Sequence, residues 1–407
     1  MLVLKNISIL YTCRPAGKQA DVHPVRDAAF AWDNGQVLWA GRESELPEEY
    51  RSPDEVIDAH GKIVIPGLID CHTHLCFGGW RAEEYEKRLS GVSYLDIAKA
   101  GGGILSTVKE TRAASEDELF DKASALLDEI VRLGVTAIEC KSGYGLSMED
   151  ELKQLRVYRR LAEVKPLTIV STFLGAHTVP PGYREDRKGY IDMVVNEMIP
   201  AVTGEGLARF CDVFVEDSAF TVPEARRILE AAKSAGLKLK VHADQLTSGG
   251  GAELAAELGA VTADHLERVS DNGIRRMKKA DVVGVSLPIA SLYTYQPYLN
   301  CRRLVDAGVS VAVATDFNPG SAPCYDLPLA MMLACNHGRL TPAESLKAAT
   351  IHAAKAIGME ASIGSIEAGK RADFNILDAP DINHWIYHFK RMPPIRTFVS
   401  GTEIKTS

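Results

Sequence analysis

The chain has no run of lysine or arginine long enough to track a phosphate backbone, and no apolar stretch approaching the length of a membrane span. Its 54 acidic residues against 46 basic leave a formal net charge of −8, which argues against nucleic acid and membrane surfaces as partners. Met1–Leu10 lacks the basic start, long apolar core and small-residue cleavage site of a secretion signal. The eight cysteines, at 13, 71, 76, 140, 211, 301, 324 and 335, are dispersed without Cys-x-x-Cys spacing. In a long chain that pattern predicts reduced thiols and a cytoplasmic location. A phosphate-cradling glycine fingerprint is also missing, which weighs against an open doubly wound sheet. What is present is ordinary for a globular protein: 407 residues, 46% hydrophobic and 25% charged, enough for one large domain and a small one.

The two ends read alike. Residues 1–63 carry short apolar bursts separated by turns, with a hairpin signal at Asp33-Asn34-Gly35. Residues 361–407 repeat the pattern at Asp373–Leu377 and Arg396–Gly401. Either end alone has too little apolar surface for a core, so the two are expected to fold together as one small β-domain, with residues 64–360 inserted between them. In that middle region apolar strands alternate with amphipathic helices. After an apolar run at Val64–Ile69 come Thr136–Lys141, Leu167–Leu174, Cys211–Glu216, Leu237–His242, Ala260–His265, Asp281–Leu287 and Val309–Asp316. Eight strands in this alternation predict an α/β fold, a (β/α)8 barrel of the TIM type, with a small β-sandwich from the termini.

Such barrels do chemistry at the C-terminal ends of their strands. Polar residues cluster there: His72 and His74, Lys141–Tyr144, His177, Glu216-Asp217, His242–Gln245, His265, and Asp316–Asn318. Successive strand residues point to opposite faces, so His72 and His74 share one face, and Cys71 lies on the other as a core residue. Two imidazoles on one face are ready ligands for zinc or iron. With His242 and Asp316 they make a four-donor set. In that reading Asp316 takes the proton of a water made acidic by the metal, and His265 hydrogen-bonds the carbonyl oxygen or water from across the mouth. Singly, a strand-end histidine is more often a core residue; jointly, the four positions predict a hydrolytic metal site.

Pro66–His74, with strand-end His242, His265 and Asp316, resembles the amidohydrolase superfamily. Further segments narrow the likeness to one of its families: Phe77–Arg81, Gly101–Thr107, Lys141–Gly145, Phe173–His177, His242–Gln245, Ala263–Leu266 and Ala314–Ser321. The resemblance implies metal-dependent hydrolysis of the cyclic amide of 4-imidazolone-5-propanoate, giving N-formimidoyl-L-glutamate in histidine degradation. It also implies one metal ion per subunit, zinc or iron, on His72, His74, His242 and Asp316, a small-molecule substrate, and a homodimer. Arg81 would fork onto the propionate, though it could instead pair with Glu83 or Glu84 of the following helix. Tyr144 and His177 would hold the ring and carboxylate, Gln245 the ring, and Asn318, Gly320 and Ser321 the opened product. Glu216 stands where binuclear members carry a carbamylated lysine, which agrees with a single ion. Gln245, glutamate in some relatives, cannot act as a base, which leaves proton transfer to Asp316 and His265. Another cyclic amidohydrolase or an aminohydrolase remains the alternative enzyme. A catalytically dead scaffold is disfavoured, because no metal ligand is missing.

Overall fold

The computed structural model describes residues 1–92 and 102–405. Its strands form two eight-stranded sheets, one from the chain ends and one from the middle. The first contains β1 (Leu2–Tyr11), β2 (Pro24–Asp33), β3 (Gln36–Arg42), β4 (Glu55–Asp58) and β5 (Ile63–Pro66). β14 (Phe374–Leu377), β15 (Arg396–Val399) and β16 (Thr402–Glu403) join it from the other end of the chain, β14 pairing antiparallel with β5. β2 and β3 are joined through Asn34-Gly35 as a tight hairpin. The sheet closes over a core in which Phe30, Trp32, Phe374 and Phe398 meet with ring centroids 4.3–6.3 Å apart.

The second sheet is the barrel: β6 (Leu68–Thr73), β7 (Val135–Lys141), β8 (Thr168–Ala176), β9 (Phe210–Val215), β10 (Lys238–Ala243), β11 (Thr262–His265), β12 (Val283–Ser286) and β13 (Val311–Val313). Each strand pairs in parallel with the next in chain order. Because helices cover the outside and side chains fill the inside, these strands are buried along nearly their whole length. The helices follow from the sequence. Glu116–Arg132 opens on a capping box between Ser115 and Glu118 and turns Leu119, Ala123, Leu127 and Ile130 inward at helical spacing. Met148–Val164 opens on Ser147, whose side chain accepts from Asp150 N. The ring closes between β6 and the residues after β13: Asp316 N donates to His72 O at 3.1 Å and His74 N to Phe317 O at 2.8 Å. Beneath that seam Thr315 Oγ1 donates to Asp70 Oδ2 at 2.6 Å. No helix among the described residues is long and apolar enough to cross a membrane.

Two features differ from the sequence reading. The apolar run Val64–Ile69 is not one strand: it divides at Gly67, with Ile63–Pro66 in the terminal sheet and Leu68–Thr73 in the barrel. An unbroken apolar run carries no mark of a change of sheet, because both halves are buried. The C-terminal region is also not purely β. Between β14 and β15, helix Ile382–Tyr387 leaves the sheet and packs on barrel helices Leu327–Asn336 and Pro342–Ala348.

Gly67 makes the change of sheet possible because a Cβ there would fall on the Thr136 side chain of β7. Gly67→Ala should therefore destabilise the protein by about 1–3 kcal/mol through overpacking. An unchanged midpoint in urea unfolding would refute this.

Candidate active site

The ends of β6, β10, β11 and β13 bring together residues that lie up to 244 positions apart. Ring nitrogens of His72, His74 and His242 lie within 4.8 Å of one another, and all three side chains are buried. Asp316 Oδ1 stands 3.4 Å from His72 Nε2 and 3.5 Å from His74 Nε2. His265 joins His72 and Asp316 within the same 4.8 Å limit. The backbone bends to place them: His265 has φ 76° and Asp316 φ 55°, left-handed conformations that cost non-glycine residues roughly 1–3 kcal/mol each and concentrate at functional sites. His72 Nε2 and His242 Nε2 are buried with no hydrogen-bond partner. Buried polar atoms are rarely left so, and three imidazoles with a carboxylate are the donor set of a catalytic zinc or iron centre. The cluster fits a metal ion.

A layer of charge lies beneath these ligands. Asp264 Oδ2 is 2.6 Å from His72 Nδ1, and Asp212 Oδ2 is 2.9 Å from His242 Nδ1. An ionised carboxylate can only accept, so Asp264 holds the His72 proton on Nδ1 and turns Nε2 toward the mouth, while Asp212 stands at ion-pair distance from His242 Nδ1, which has no hydrogen-bond partner among the described residues. Burial and Lys141 oppose a charge on His72, but Asp264 and Asp316 outweigh them and raise its pKa to about 9. Burial, helped by the charges of His72 and Lys141, draws His242 down to about 4 despite Asp212. Burial likewise lowers His74. Near neutral pH, His74 and His242 thus offer lone pairs, and a cation entering the cluster has one proton to displace, from His72. The sequence reading missed Asp212 and Asp264 and took Lys141 only as a strand-end polar group. The signal for this layer was charge at every second position inside apolar strands: Glu139 and Lys141 on β7, Lys240 and His242 on β10.

The rim is held by one helix face. From Met148–Val164, Glu151 accepts from the amides of Gly143, Gly145 and Leu146 at 2.8–3.0 Å. Gln154 accepts from Tyr144 N and donates to Cys76 O, while Tyr158 accepts from Cys76 N and donates to Lys141 O. Glu151, Gln154 and Tyr158 share one helical stripe, so a single helix fixes both the Lys141–Gly145 loop and the segment after His74. The Tyr144 ring consequently lies 5.8 Å from that of His74, and His177 stacks on His74 at 5.1 Å. Gly143 O accepts from His177 Nδ1 at 3.0 Å; burial and the neighbouring imidazoles hold His177 well below its ordinary pKa, hence neutral.

Arg81 lies above the turn that follows Asp316. Its Nε donates to Glu84 Oε2 at 2.8 Å, so the helix pairing weighed from sequence does form. Its two terminal nitrogens have no partner among the described residues. The guanidinium rests on Gly320, where a Cβ would collide with it. Asn318, Gly320 and Ser321 form one hydrogen-bonded turn. Asn318 Oδ1 accepts from the Gly320 and Ser321 amides at 2.8 and 2.7 Å, and its Nδ2 donates to Asp316 O and Ser321 Oγ. A turn leading out of a left-handed Asp316 leaves its amides unpaired, and Asn318 satisfies them. Glu216 is engaged likewise, accepting from the amides of Leu246 and Thr247 and from the Thr247 hydroxyl. Gln245, in the loop that Glu216 braces, is half-buried and has no hydrogen-bond partner among the described residues. Of the Gly101–Thr107 segment, Gly101 lies outside the described residues; Gly103 N donates to Glu84 Oε1 at 2.7 Å.

A closed parallel barrel with a His-His-His-Asp cluster at its mouth defines a hydrolase of the amidohydrolase type. A sequence model described as "Amidohydrolase family" matches residues 63–404. The chain is 51% identical over 379 residues to an imidazolonepropionase of Symbiobacterium thermophilum, covering 92% of this chain and 89% of that one. It is 49% identical over 375 residues to an imidazolonepropionase of Geobacillus kaustophilus, covering 91% and 88%. Among solved structures, a zinc-bound adenosine deaminase from Xanthomonas campestris shares the fold with a TM-score of 0.73 at 18% identity, over 99% of this chain and 92% of that one. The chain belongs to the amidohydrolase family and, within it, to the imidazolonepropionase group.

If the cluster holds an ion, zinc-reloaded protein should melt above chelator-stripped protein, and His242→Ala should abolish the difference. Equal melting temperatures for stripped and reloaded wild type would rule the site out.

Proposed function

We propose that the chain hydrolyses 4-imidazolone-5-propanoate to N-formimidoyl-L-glutamate, with one zinc or iron ion held by His72, His74, His242 and Asp316. The observation that carries this reading is the pairing of two features on one turn. Residues 316–321 carry at one end the Asp316 carboxylate, 3.4 Å from His72 Nε2, and at the other Gly320, against which the Arg81 guanidinium rests. A substrate spanning them needs a ring carbonyl and, one short arm away, an anion. A deaminase substrate without an acid group would leave the Arg81 fork unused.

A divalent cation at this site would acidify water and polarise the carbonyl under attack. The chain's own groups do the rest. The two terminal nitrogens of Arg81 take the propionate, while Glu84 on Nε keeps the fork facing the cluster. The neutral rings of Tyr144 and His177, walled against His74, flank the imidazolone, and Gln245 reaches its ring nitrogens. Asp316 accepts the proton of the attacking water and returns it to the ring nitrogen as the C–N bond breaks. The old carbonyl carbon thereby becomes a carboxylate and the ring opens. His265, across the mouth, donates to the oxygen on which negative charge develops. The left-handed backbone at Asp316 and His265 holds both side chains at the cluster before substrate arrives.

Metal-loaded protein should accelerate the loss of ultraviolet absorbance from freshly made 4-imidazolone-5-propanoate; failure to do so would overturn the assignment. Arg81→Ala should raise KM about ten- to a hundredfold, the equivalent of a charge-assisted pair of roughly 1.5–3 kcal/mol. Gly320→Ala, which displaces the same guanidinium, should also raise KM. Unchanged KM in both variants would assign Arg81 to the fold instead.

A further inference from the structure

The inside of the barrel holds an ionic cluster where branched aliphatic side chains normally pack. Lys141, Lys240, Glu139, Asp212 and Asp264 are all 0% exposed. Two ammonium groups thus face three carboxylates, well below the mouth. Such burial costs several kcal/mol per ion and is often no more stable than an apolar filling, so stability alone does not explain it.

The contacts are uneven. Lys141 Nζ lies 2.8 Å from Glu139 Oε1, 2.8 Å from Asp212 Oδ2 and 3.6 Å from Asp264 Oδ2. The two aspartate oxygens it meets are the ones that meet the imidazoles: Asp212 Oδ2 beside His242 Nδ1, and Asp264 Oδ2 beside His72 Nδ1. Among the described residues Lys240 Nζ has one carboxylate at ion-pair distance, Glu139 Oε1 at 3.4 Å, besides the carbonyl of Cys71 at 3.3 Å and the Phe210 ring at 5.0 Å. One ammonium therefore ties together the two carboxylates behind two metal ligands, and the other does not.

We propose that Lys141 is a positioning residue for the metal centre, locking Asp212 and Asp264 so that His242 and His72 turn their Nε2 atoms to one point. The inference rests on reading the histidine cluster as a metal site. Without Lys141, Asp212 and Asp264 would lose the cation between them and repel each other, and the rings they hold would swing apart.

The test compares Lys141→Met with Lys240→Met, two variants that each remove one fully buried ammonium. Zinc affinity is measured by competition with a chromophoric chelator, and melting temperature is measured on the stripped proteins. Lys141→Met should bind zinc about 10–100-fold more weakly than wild type, the usual loss when a group supporting a metal ligand is removed. Lys240→Met should lower the melting temperature yet keep near-wild-type affinity. If Lys141→Met does not accumulate as folded protein, Lys141→Met/Glu139→Gln, which removes one charge of each sign, should show the same weakening. Wild-type affinity in the folded Lys141 variant, or equal losses in the Lys141 and Lys240 variants, overturns the proposal. If the wild type itself takes up no zinc, the metal-site reading fails and this inference with it, whereas tight wild-type binding matched by Lys141→Met sinks this inference alone.

Discussion

Closure of the barrel is the constraint on which the site depends. Residues 72 and 316 belong to the first and last strand regions, and two backbone hydrogen bonds across the seam, from Asp316 N and from His74 N, bring them side by side. Parallel pairing imposes the order and the hand of the ring; the seam sets which side chains face each other at its mouth. Asp70 and Thr315 secure the seam from below, inside the ring, with two hydrogen bonds of 2.6 and 3.1 Å. If the first and last strands slipped by one residue, period-two alternation would turn His72 and His74 outward and leave Asp316 without its neighbours.

Below the mouth the protein departs from the usual economy of a core. Charged groups replace methyl groups, and two atoms of the cluster, Glu139 Oε2 and Asp264 Oδ1, have no hydrogen-bond partner. That arrangement is tolerable because the opposite charges lie at contact distance in a low dielectric, where each pair is far stronger than in water. It also gives His72 a hydrogen-bonded carboxylate on its inner nitrogen and places a second carboxylate 2.9 Å from that of His242. A metal ligand held on one side by a carboxylate has one orientation and one tautomer, and so needs little rearrangement when a cation arrives.

Above the mouth, order comes from outside the barrel. The Glu151, Gln154 and Tyr158 stripe reads backbone amides and carbonyls of two different loops, so the loops that carry Tyr144 and follow His74 move as one body with the helix. Glu216 and Asn318 do the same for the loops after β10 and β13. Polar side chains that look like candidate ligands in sequence are here spent on backbone, which is how a catalytic rim built of loops can be as well defined as the strands beneath it.

The sequence by itself determined the barrel, the pairing of both ends into one small sheet, and the His72-x-His74 pair. Period-two and helical patterns are local, and motifs such as Asp-Cys-His-Thr-His state their chemistry over a few residues. It marked His242, His265 and Asp316 as strand ends without showing that they converge. Only the tertiary structure decided the division at Gly67, the internal use of Asn318 and Glu216, and the joining of Lys141 to Asp212 and Asp264. Those depend on which strand lies beside which and on where a side chain points once the ring is closed. A lysine between two aspartates 71 and 123 positions along the chain leaves no local pattern to read; only the closed ring brings the three charges into contact.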